Sequence, residues 1–157
     1  GRAAMAIDSP REAAPHLVRA LELEPTQHGA RYLLALAALQ LGDHAAAETQ
    51  LAYVVAQDEG HAFGDALLML GRLRQLQRKY EAARADYERH ERTHGGNCRS
   101  HYWLGQVRRA LGDAAGARAA FEVAAHPQAK QKRTAEEELF RARARVALWF
   151  LPRRSTS

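Results

Sequence analysis

Residues 104–124 read LGQVRRALGDAAGARAAFEVA, and their spacing decides the fold. Apolar and small residues recur at helical intervals on both sides of Leu111-Gly112-Asp113. Gly suits the position just past a helix end, where a left-handed backbone is cheap only without a Cβ. Asp suits the position that opens the next helix, because its carboxylate accepts from an unpaired backbone N–H. Beyond the turn, Ala117, Phe121 and Ala124 are separated by four and then three residues, which places them on one helical stripe. The stretch therefore reads as two helices folded back on each other, with Gly105 and Ala117 small enough to let them approach closely.

The same grammar recurs along the chain, and a fixed period is the signature of a repeat architecture. The stripe appears as Ala13, Leu17, Ala20, then Ala47, Leu51, Val54, then Ala83, Tyr87, His90, and finally at Ala117, with offsets of 34, 36 and 34 residues. Leu34-Ala35, Leu70-Gly71 and Leu104-Gly105 each precede the following stripe by the same interval. Turn signals stand between the helices at Leu41-Gly42-Asp43, Arg78-Lys79-Tyr80 and Leu111-Gly112-Asp113.

These residues closely resemble the tetratricopeptide repeat family, whose unit of 34 residues pairs two helices. That family places Leu-Gly in the first helix and Ala, an aromatic or Leu, then Ala in the second, and closes the unit with Pro. Pro25 supplies that Pro once; Asp58-Glu59-Gly60 and His94-Gly95-Gly96 replace it later, and two extra residues fall near His61–Gly64. The resemblance covers about residues 1–126. It implies an all-α, right-handed α-solenoid of antiparallel helix pairs. Its units are expected at 28–61, 62–97 and 98–127, after a truncated unit at 1–27 in which Gly1 aligns with a first-helix Gly. Within that unit a helix over about Pro10–Leu23 contains Pro15, where some irregularity is expected.

The resemblance also implies a function. First helices of the family line a concave groove for a protein or peptide partner. Carried over, the groove positions are Gly29, Tyr32, Leu36 and Leu39; Asp65, Leu68, Met69, Arg72 and Gln75; and Arg99, Tyr102, Gln106 and Arg109. The implied surface has an apolar floor with two tyrosines, bordered by arginines that grip carboxylates. It suits a peptide with an apolar anchor and acidic groups; an unspecific solvated face is the competing reading. Chaperone-binding relatives clamp an acidic tail with Lys, Asn, Asn, Lys and Arg. Here Tyr32, Leu36, Met69, Arg99 and Trp103 stand there, so four of five fail.

Composition agrees with close helix packing: 33 residues are Ala, while aromatics are 7%. No apolar run approaches the ~20 residues of a membrane span. One Cys excludes a disulfide framework. The preponderance of Arg over Lys, with so much Ala, points to a bacterial source, cytoplasm and periplasm both staying open. The net charge of +5 belongs wholly to residues 128–157, where eight basic residues face three acidic ones. The eight are Lys130, Lys132, Arg133, Arg141, Arg143, Arg145, Arg153 and Arg154; Glu136–Glu138 oppose them. Thr134 and Glu137 have the spacing of a capping box, and Leu139, Phe140, Val146, Trp149 and Phe150 follow at helical spacing before Pro152. This segment is expected to be a basic helix and tail that cap the array. Alternatively it offers a basic amphipathic face to anionic lipid or to nucleic acid.

One catalytic pattern is present. His90-Glu91-Arg92-Thr93-His94 has the spacing of a zinc hydrolase helix, with Cys98 or His101 as a third ligand. Against it, His90 occupies the small position of the repeat stripe, and Gly95-Gly96 should end the helix at His94. Cys98 near a helix start is either activated there or a small packing residue. The sequence is therefore read as a non-catalytic scaffold with no cofactor, metal site or small-molecule substrate. A place within a larger polypeptide or complex is expected.

Overall fold

The computed structural model describes residues 9–126 and 134–152, apart from the Phe63 side chain. Gly1 and the basic residues Lys130, Lys132, Arg133, Arg153 and Arg154 lie outside the described residues. The fold is all-helical, with no strand among the described residues. Its helices are α1 (Pro10–Leu23), α2 (His28–Leu41), α3 (His44–Gln57), α4 (Asp65–Leu76), α5 (Tyr80–His94), α6 (Cys98–Ala110), α7 (Ala114–Ala125) and α8 (Ala135–Phe150). They fall into two compact units that divide in sequence between Lys79 and Tyr80, within the stretch expected to form the second repeat.

In the first unit α1 packs on α2, α2 on α3 and α3 on α4. Pro10 opens α1, and the helix runs through Pro15 without interruption, contrary to the expected irregularity. The amide hydrogen that Pro15 lacks would have bonded the Arg11 carbonyl; both residues are exposed, so that carbonyl is open to solvent and its loss costs less than in a buried helix. Ala35, Ala47, Leu51, Val54 and Leu67 are fully buried and form the apolar interior. Where the two extra residues fall, His61–Gly64 make one 3-10 turn, with Gly64 in the left-handed region at φ +82°. Lys79 donates to Glu48 at 2.8 Å, and this bond holds the Glu48 carboxyl below its ordinary range.

In the second unit α5 packs on α6, α6 on α7, and α8 on both α6 and α7. Gly105 explains how close α6 and α7 come: a Cβ there would sit 2.6 Å from the Phe121 ring. Phe121, Ala117, Ala124 and Ala125 are fully buried, and Ala144 and Leu151 of the C-terminal segment join them. Thr134 and Glu137 form their reciprocal capping box at the start of α8.

Three turns share one hydrogen-bond pattern. The Gly42 amide donates to Leu39 at 3.1 Å and the Asp43 amide to Ala38 at 2.9 Å. Arg78 and Lys79 repeat this toward Gln75 and Arg74, and Gly112 and Asp113 toward Arg109 and Arg108. Each is a Schellman closure. Asp43 and Asp113 then cap the following helices, accepting from Ala46 and Gly116.

Candidate functional site

In the first unit, Tyr32 donates its hydroxyl to the Asp65 carboxylate and sets its ring edge-on to His61, centroids 5.2 Å apart. Two of the groove positions thus bind each other. Leu36, Leu68 and Met69 are buried, which corrects their expected place on a ligand-facing floor: they hold the helices together. Tyr32, Leu39, Arg72 and Gln75 are half-buried, and Gly29 is exposed.

In the second unit the α6 positions converge. The Tyr102 ring lies between Phe121 and Phe140, at 5.7 and 5.6 Å, and its hydroxyl accepts from Gln106 at 2.8 Å. Arg109 is exposed. Arg99 is already engaged: it pairs with Glu136 of α8 at 3.1 Å and stacks over Trp103 at 5.3 Å. Its expected availability to a partner carboxylate is therefore corrected, because a residue 37 positions away satisfies it.

Between α6 and α8 lies a cleft of about 350 Å³. Tyr102, Gln106 and Arg109 form one wall, and Arg143, Val146 and Phe150 contribute to the other. The sequence reading treated α8 as a cover and omitted its residues from the groove. The available signal was Ala142, Val146 and Phe150, spaced by four residues and so on one face of the helix. Neither Arg109 nor Arg143 has an acidic partner among the described residues; Arg143 lies over the Phe140 ring at 5.4 Å. An apolar cleft with a cation on each wall can hold an apolar side chain and pair with a neighbouring carboxylate.

The histidine motif is arranged differently. α5 ends at His94, before Gly95 and Gly96 at φ +76° and +67°. His90 is buried, with its ring 5.3 Å from that of His94. His101 packs over Gly96 and approaches Glu91 at 4.0 Å; burial pulls its pKa down, with Glu91 opposing. Among the described residues no group of three or more His, Cys, Asp or Glu gathers to hold a metal ion. Burial pushes the Cys98 thiol up, opposite to what an activated helix N-terminus would do. No described helix is long and apolar enough to cross a membrane.

Helix pairs closed by Schellman turns, with a ring packed on a helical glycine, define a helix-pair repeat protein. The chain belongs to the tetratricopeptide repeat family, whose model matches residues 1–62 and 68–134. Comparison with curated proteins returned no match. Repeats of this family serve generally as scaffolds for protein–protein interaction and are typically non-catalytic.

Proposed function

We propose that the chain is a non-catalytic scaffold that binds a peptide segment of a partner protein in the cleft between α6 and α8. The segment carries an aliphatic or aromatic anchor with a carboxylate beside it. One observation carries this reading: Tyr102, Val146 and Phe150 supply apolar walls, while Arg109 and Arg143 stand on opposite sides. Tyr102 is held by two rings and by Gln106, so little side-chain freedom is lost when a ligand packs on it.

A peptide array probed with the full chain tests the reading. Binders should combine an apolar residue with Asp or Glu, and Arg109→Glu or Tyr102→Ala should weaken them about tenfold or more. Binders indifferent to both substitutions would remove the cleft as the site.

A further inference from the structure

The outward face of α8 carries a second surface. Phe140, Ala144 and Leu151 are buried, anchoring the helix and its end to the unit. On the opposite side Ala142, Val146 and Trp149 follow at spacings of four and three, with Phe150 edge-on to Trp149 at 5.1 Å. Val146, Trp149 and Phe150 are 56%, 80% and 69% exposed, and Trp149 is the most exposed large apolar side chain among the described residues. Arg143 and Arg145 flank the stripe, one on each side by helical geometry, and both are exposed.

Charge is segregated along this helix. Glu136 is paired with Arg99, Glu138 with Arg141 at 2.8 Å, and the Glu137 carboxylate accepts from the Thr134 amide. All three acids sit in the first turn, where the helix dipole favours them. Arg143 and Arg145 have no acidic partner among the described residues. The second half of α8 is thus an apolar ridge between cations, with the nearby acids on its own helix already engaged.

We propose that this ridge docks on an anionic lipid surface, with Trp149 and Phe150 entering the headgroup region and Arg143 and Arg145 pairing with lipid phosphates or carboxylates. Exposed aromatic rings beside arginines fit the membrane interface, where amphipathic rings settle and long cationic stems reach back to the headgroups. A second copy of the chain is a poor occupant, since two such faces bring four arginines together with no acid to separate them. The Trp149 ring, 80% exposed and outside the cleft, provides no wall for a partner side chain to enter, whereas fluid headgroups close around it. The ridge shares Val146, Phe150 and Arg143 with the peptide cleft, but Trp149 and Arg145 do not line it, so substitutions at these two test the lipid surface separately.

The test uses the full chain with vesicles of phosphatidylcholine alone and of phosphatidylcholine mixed with phosphatidylserine. Co-sedimentation is expected only with the mixed vesicles and should fall as salt rises. Tryptophan emission should shift to the blue, reporting Trp149, because Trp103 is already buried. Trp149→Ala should weaken partitioning about tenfold, and Arg145→Glu about fivefold or more. Both side chains are exposed, so far-UV circular dichroism should show unchanged helicity. Absence of binding to the mixed vesicles, equal binding to neutral ones, or indifference to both substitutions would each overturn the proposal. So would salt-dependent binding of duplex DNA without vesicle binding.

Discussion

The turn that closes α6 and the turn that closes α4 have the same backbone and opposite chemistry. At the first, Gly112 takes φ +82° and Asp113 caps α7. At the second, Arg78 takes the left-handed conformation at φ +61°, and Lys79 stands where the capping Asp stands elsewhere. An ammonium has no acceptor, so Lys79 cannot cap through its side chain; it pairs with Glu48 instead. Both turns nonetheless make the same two Schellman hydrogen bonds. Glycine therefore makes this turn cheap but does not cause it. At Arg78 the same closure holds an arginine in a conformation costing roughly 1–2 kcal/mol.

If packing outranks turn chemistry, damage to it should cost most. Phe121→Ala removes the ring against Gly105 and should destabilise the second unit by about 3–5 kcal/mol, read by urea unfolding of the helical signal. A cost no larger than that of a turn substitution would break the comparison. Gly112→Ala comes next, at about 1–2 kcal/mol. Open space surrounds a Cβ at that position, so only the backbone conformation is charged, and the same measurement isolates it. Asp113→Ala should cost about 1 kcal/mol through loss of the bond to Gly116, with the α6–α7 pairing intact. The smallest change has the opposite sign. Arg78→Gly relieves the left-handed strain but loosens the unfolded chain, for a net gain of about 0.5 kcal/mol in thermal unfolding. A loss there would mean that the Arg78 side chain contributes more than its backbone costs.

Much of the fold was legible because its determinants are local. The recurring stripe of Ala117, Phe121 and Ala124 and the Gly-Asp turns mark helix pairs through spacing and capping alone. Pro15 misled because its rule concerns an unmet carbonyl, and this carbonyl lies at an exposed position. The candidate site was legible only in part. Tyr102, Gln106 and Arg109 were read from one helix and do line the cleft. Leu68 and Met69 were not distinguishable from them, since alternating sides of a helix face core or solvent according to what packs there. Arg99 was read as available because Glu136 lies far away in sequence.

The amino-acid sequence by itself determined that the chain is a series of helices broken at capped turns, and that all the excess charge lies after residue 127. Those properties depend on neighbours within a turn or two of the chain. Tertiary structure decided that Arg99 is engaged by α8, and that α8 forms a wall of the cleft as well as an end to the core. Such outcomes depend on which distant side chains arrive at the same place, and close packing sets that, not sequence spacing.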